Sequence, residues 1–299
     1  MVAVALLVLS ACASEDNAGG TDVCPATGSE AVRDVRYAAS PGVAPSLQSL
    51  DLYLPTRPDG CGAVPIVVWV HGGGFRRGDK ANQVADKVRL FTGEGWAFAS
   101  VNYRLVGAPG SGPSGGVYPA AEQDVAAAIA FLVAHAADHG LDPGRVMLLG
   151  HSAGAFLVAL VATDGSFLRD AAPGLGPASL ACVAPLDGTY DIPTMVAAGG
   201  RQAEMYRSAF GDDPALWDRA SPTHDVVEDA GIPPFHLVTR GSPSRVAETR
   251  AFADGLRTAG VRATVSVAEG LSHAQVNAAV GHPTDTAVTP GLMSFFRTC

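Results

Sequence analysis

Five residues, Gly150-His151-Ser152-Ala153-Gly154, interrupt an apolar stretch that runs through residues 146–149 and resumes over 155–162. A serine held between two glycines at such a junction can be lifted out of a core. Glycine lets the chain take a tight, strained turn and lets neighbouring elements approach without a side chain in the way. If the apolar run before it is a strand and the one after it a helix, the hydroxyl sits at a helix N-terminus, where backbone amides favour developing negative charge. The G-x-S-x-G spacing in that context is a nucleophile elbow, and the chemistry it suits is acyl transfer.

A second glycine cluster, His71-Gly72-Gly73-Gly74-Phe75, follows directly on the apolar segment Val64–Val70. Successive glycines let backbone N–H groups converge on one oxygen, so Gly73 and Gly74 are the expected oxyanion donors, with the amide of Ala153 as the third. His71 is expected to brace this loop by hydrogen bonding. A phosphate-cradling loop is disfavoured because no Gly-Lys-Ser/Thr follows. A hydroxyl nucleophile also needs a base, and His273 in "AEGLSHAQVN" is the candidate because it follows the last strand of the pattern. His135 and His139 fall on a helix, His151 occupies the variable elbow position, and His224, His236 and His282 lack a suitable slot.

These groups must be positioned by elements that the hydropathy pattern also outlines. Strands are predicted at residues 32–37, 50–54, 64–70, 96–103, 145–150, 181–186, 234–239 and 262–268. Helical segments fall at 81–91, 120–139, 153–162, 246–258 and 288–297. An opening antiparallel pair followed by near-continuous apolar strands separated by helices predicts an α/β fold. Its mostly parallel sheet of about eight strands should be covered by helices on both faces. Residues 191–225, rich in Gly, Pro, Trp and Tyr, read as an excursion over the strand ends. Residues 24–299 are expected to form a single catalytic domain behind a leader and linker at 1–23.

Taken together, "VHGGGF", "VNYRL", "YPAAEQDV", "GHSAG", "SPTH" and "SHAQVNAAVGHPTD" make the chain resemble an α/β-hydrolase of the HGGG-bearing esterase type. It is similar to carboxylesterases, feruloyl esterase-like enzymes and kynurenine formamidase-like enzymes from about Ser49 to Phe296. The resemblance implies a serine hydrolase in which a carboxylate orients His273. Members usually carry that carboxylate after the seventh strand, in a Gly-x-x-Asp pattern. Here the loop reads Arg240-Gly-Ser-Pro-Ser-Arg245 and holds none. Three substitutes remain. Asp187 closes the strand at 181–186, Asp191 matches a family position that is usually structural, and Glu248 lies one turn into the next helix. Asp187 is favoured, since a short carboxylate at a strand's C-terminal end can reach a histidine beside the elbow. A Ser–His dyad is the remaining option. Phe75, Tyr103, Tyr118, Met195 and Trp217 are candidates to line the substrate site, with apolar core packing the favoured role for most of them.

The net charge of −9 and the lack of a Lys/Arg block exclude a nucleic-acid partner. The apolar opening, residues 1–9, is too short to span a bilayer. It leads into "LSAC", which resembles the lipobox of bacterial lipoproteins, although no positively charged n-region precedes it. Export and a lipid anchor on Cys12 are therefore expected. In an exported chain the other cysteines suggest two disulfides. Cys24 and Cys61 each precede a strand, while Cys182 and Cys299 both fall at the strand-start edge of the sheet, which favours Cys24–Cys61 and Cys182–Cys299. No cysteine spacing resembles a zinc site, and nothing calls for a metal or organic cofactor. The partner is then a small-molecule ester. The alternatives are an aryl formamide or, in another class altogether, a non-catalytic binding lipoprotein on a hydrolase scaffold.

Overall fold

Alternating burial on the third strand shows how the layers are built. In β3 (Val64–Val70) every side chain is buried, with Val64, Ile66, Val68 and Val70 in one apolar cluster and Val67 and Trp69 in another. A strand apolar on both faces needs cover on both, which is the condition for a parallel sheet flanked by helices. The computed structural model, which describes residues 24–299, supplies that cover.

Eight strands form one sheet: β1 (Gly28–Arg36), β2 (Ser49–Thr56), β3, β4 (Ala97–Val101), β5 (Leu141–His151), β6 (Leu180–Leu186), β7 (Phe235–Thr239) and β8 (Ala263–Val267). Their order is β1-β2-β4-β3-β5-β6-β7-β8. β2 pairs antiparallel with β1 and β4, and every other pairing is parallel.

The described helices are α1 (Ala85–Gly93), α2 (Ala120–Ala134), α3 (Ala153–Thr163), α4 (Ser166–Ala171), α5 (Ile192–Ala197), α6 (Gly200–Phe210), α7 (Pro214–Arg219), α8 (Pro243–Thr258), α9 (His273–Ala279) and α10 (Thr289–Phe296). Val125 of α2, Leu157 of α3 and Phe252 of α8 join the first apolar cluster; Phe91 of α1, Val276 of α9 and Phe296 of α10 join the second. α3 is buried along its whole length, as an all-apolar helix must be.

The architecture expected from the sequence is present, with shifts at element ends. Residues 81–83 form a turn, with Gln83 at positive φ, so α1 starts later than the apolar pattern suggested. The helix expected over 120–139 stops at Ala134, and a 3-10 turn, Ala137–His139, carries the chain to Gly140 at φ 62°. The excursion after β6 becomes α5, α6 and α7. Asp191 and Asp213 cap α5 and α7 by accepting from the N–H groups of Thr194 and Ala215. Both expected disulfides, Cys24–Cys61 and Cys182–Cys299, are formed. Cys12 and the lipobox lie outside the described residues. Among the described residues no helix is long and apolar enough to cross a membrane.

Candidate active site

Ser152 sits where β5 turns into α3, with φ 58° and ψ −118°. The strain is sustained by the surrounding backbone: the Ser152 N–H donates to the Leu186 carbonyl of β6 at 3.0 Å. Both flanking glycines are sterically required. A Cβ at Gly150 would collide with the Gly154 carbonyl, and one at Gly154 with the Val70 carbonyl of β3. The G-x-S-x-G spacing is thus the signature of a helix pressed against two strands.

The loop after β3 approaches the serine from the other side. Gly73 and Gly74 have φ 127° and 61°, and a Cβ on Gly73 would overlap the Arg77 carbonyl. Among the described residues, the N–H groups of Gly73, Gly74 and Ala153 donate to no protein acceptor. His71 braces this loop as expected. Its buried ring donates from Nδ1 to the Gly72 carbonyl at 2.8 Å and stacks on Tyr103 at 4.5 Å. The Tyr103 hydroxyl donates back to the His71 carbonyl at 2.9 Å. Burial lowers the His71 pKa, which keeps the ring neutral.

His273 is the first residue of α9, held there by a capping box between Ser272 and Gln275. Its Nε2 lies 2.9 Å from Ser152 Oγ and its Nδ1 2.5 Å from Asp187 Oδ2. The structure therefore brings Ser152, His273 and Asp187 together. His151 supports the imidazole from behind: its Nε2 donates to the His273 carbonyl at 2.9 Å. Burial and the neighbouring His273 push the His151 pKa down to about 3, so it stays neutral.

Asp187 follows β6 at φ 50°, and its own N–H is tied to the Val238 carbonyl of β7 at 2.7 Å. Its side chain is fully buried. Arg240 Nε donates to Oδ2 at 2.6 Å and Arg245 Nε to Oδ1 at 2.7 Å, while Arg245 Nη2 reaches the Asp187 carbonyl at 2.9 Å. Burial opposes a charge on Asp187. The hydrogen bond from His273, with the charges and hydrogen bonds of Arg245 and Arg240, outweighs it and holds the carboxyl well below the usual carboxylate range.

The other two candidate acids lie elsewhere. Asp191 caps α5, and Glu248 lines a separate hollow with Tyr190 and Phe252, where burial pushes its carboxyl up to about 7. His151, Asp187 and His273 are close enough to share a metal ion. Both His273 nitrogens and Nε2 of His151, however, are already engaged by Asp187, Ser152 and a carbonyl, so the geometry is that of a hydrogen-bonded relay.

A cavity of ≈ 360 Å³ opens over Ser152 and His273. Its walls include none of the five candidates, most of which take the core role favoured for them. Phe75 packs edge-on against Phe156 and Phe210, and Tyr103 serves the His71 loop. Tyr118 borders a different hollow. Met195 and Trp217 are buried in the first apolar cluster. The cavity is lined instead by Arg201, Gln202, Met205 and Tyr206 of α6, together with Arg240 and Arg245. Sequence reasoning named no residue of α6 as lining. The signal it passed over was the pair of arginines flanking the carboxylate-free loop, Arg240 and Arg245.

Comparison with known proteins agrees with this architecture. The family model described as BD-FAE matches residues 50–242. Esterase LipQ of Mycobacterium tuberculosis is 34% identical over 218 residues, covering 69% of this chain and 48% of that protein. A probable isoprenylcysteine alpha-carbonyl methylesterase of Oryza sativa, ICMEL1, is 29% identical over 266 residues, covering 82% of this chain and 57% of that one. The chain thus spans about half the length of the curated relatives it matches. Among solved structures, esterase B from Lactobacillus rhamnosis shares the fold with a TM-score of 0.69 at 23% identity, covering 92% of this chain and 86% of that one.

Proposed function

The chain belongs to the BD-FAE family, and on that premise we propose that it is a serine hydrolase of carboxylic esters that works through an acyl-enzyme. One observation carries the proposal: a single imidazole, His273, stands between the Ser152 hydroxyl and a buried, ionised carboxylate. Ser152 Oγ attacks the ester carbonyl carbon while its proton passes to His273 Nε2. The resulting oxyanion accepts from the unoccupied N–H groups of Gly73, Gly74 and Ala153. As the tetrahedral species collapses, the C–O bond to the alcohol breaks and His273 Nε2 returns the proton to the departing oxygen. Water then adds to the acyl-enzyme, giving its proton to His273. The second collapse frees the carboxylic acid and restores the Ser152 hydroxyl. Asp187 fixes the tautomer with hydrogen on Nδ1 and stabilises the imidazolium formed twice per cycle.

The intact relay counts against a purely binding role. Replacement of Ser152 by Ala should abolish hydrolysis of p-nitrophenyl acetate and butyrate while circular dichroism remains that of the wild type; turnover by the variant at the wild-type rate overturns the proposal. We further propose that the protein acts outside the cytoplasm. The two disulfides support this, since such bonds persist in oxidising compartments. Loss of detergent-phase partitioning on Cys12→Ala tests the lipid anchor.

A further inference from the structure

We propose that this site takes esters carrying a carboxylate in addition to the scissile ester, with the guanidinium groups of Arg201, Arg240 and Arg245 receiving that negative charge. The inference names a substrate class for the esterase reading and rests on it.

Charge balance is the first argument. The charged side chains lining the cavity are these three arginines and Asp187. One buried carboxylate is neutralised by one guanidinium, so the lining holds a surplus of two positive charges in a chain whose net charge is −9. Holding Asp187 does not account for three arginines. Nearby acids do not cancel the surplus either. Glu204 and Glu248 both lie outside the lining, and burial of Glu248 keeps much of it protonated near neutral pH.

Unused donors are the second. A guanidinium has five N–H groups. Arg240 spends only Nε on the protein, and Arg245 spends Nε and Nη2, so Nη1 and Nη2 of Arg240 and Nη1 of Arg245 remain. Their side chains are 25% and 22% exposed, which places those groups on the cavity wall with limited access to water. Among the described residues the Arg201 side chain makes no hydrogen bond or ion pair, and the residue stands exposed on α6 in the cavity lining. A neutral, apolar substrate would strip water from these groups without replacing it. A carboxylate replaces it with charge-assisted, often bidentate bonds.

Two matched pairs of esters test this. Monoethyl succinate against ethyl succinamate puts the charge on the acyl side, and 4-acetoxybenzoate against 4-acetoxybenzamide puts it on the alcohol side. In at least one pair the anionic ester should show kcat/KM roughly tenfold higher, the size of one charged hydrogen bond. That ratio should fall with added salt. It should fall again in Arg201→Gln, a variant that removes no bond within the protein, and recover in part in Arg201→Lys. Turnover of all four esters without preference for the anions overturns this inference and leaves the esterase reading standing. A preference that Arg201→Gln and salt leave unchanged also overturns it. No turnover of any of the four while p-nitrophenyl acetate is hydrolysed overturns this inference alone, and no turnover of p-nitrophenyl acetate either overturns the esterase reading with it.

Discussion

The serine side and the acid side of the site are built on different principles. Ser152 and its oxyanion loop are defined by missing atoms: Gly150, Gly154 and Gly73 are glycine because a Cβ would strike backbone carbonyls. Such requirements are local, and backbone cannot move aside to meet them. Asp187 is defined by hydrogen-bond donors from three other segments. Arg240 lies just beyond β7, Arg245 in the first turn of α8 and His273 at the start of α9, all converging on one buried carboxylate. The lesson is that geometry fixes the turn that carries Ser152 while electrostatics fixes the carboxylate of Asp187. A charge held by partners can be supplied from more than one place in the chain, whereas a turn with no room for a side chain cannot.

The largest effect expected from testing this contrast is on the acid side. Asp187→Asn keeps the shape but lets the side chain stabilise the wrong imidazole tautomer, and kcat should fall about 10³- to 10⁴-fold. Asp191→Asn and Glu248→Gln, measured alongside, should stay near wild type in kcat; if either fell as far as Asp187→Asn, the acid would be misassigned. Gly74→Ala should come next, on the serine side. Its backbone has φ +61°, and the added Cβ would lie 2.9 Å from Met205 Sδ. Displacing one oxyanion donor should cost about two decades in kcat with little change in KM.

The smallest effect should come from Arg245→Gln and should be a matter of pH. The Asp187 carboxyl is depressed by its partners, so its contribution is present above the ordinary carboxylate range and lost as pH falls through the depressed value. Removing one guanidinium raises that value. The variant-to-wild-type ratio of kcat/KM, and the melting temperature relative to wild type, should therefore both drop between pH 7 and pH 4.5. A ratio flat across that range would mean Arg245 does not govern the charge.

This difference also explains what could be read in advance. The elbow, the oxyanion glycines and His273 stand out because backbone sterics and strand–helix order leave few residues able to serve. The sheet was equally plain in the near-continuous apolar segments such as Val64–Val70. Asp187 could only be favoured over Asp191 and Glu248, because whether three remote segments converge on a carboxylate is a property of tertiary packing. Arg240 and Arg245 went unread for the same reason: a loop inspected for a missing acid holds the two bases that secure the acid elsewhere. The cavity wall was illegible for another reason. Large apolar residues such as Phe75 and Trp217 are as useful to a core as to a pocket, and here the core takes them.

The central claim, that His273 activates Ser152, is tested most directly by labelling with a fluorophosphonate and mapping the adduct by mass spectrometry. The wild-type protein should carry one adduct, on the tryptic peptide spanning residues 146–169, at Ser152. His273→Ala should label orders of magnitude more slowly with its fold intact. An unlabelled wild type, an adduct at a different serine, or equal labelling of the His273 variant would contradict the account.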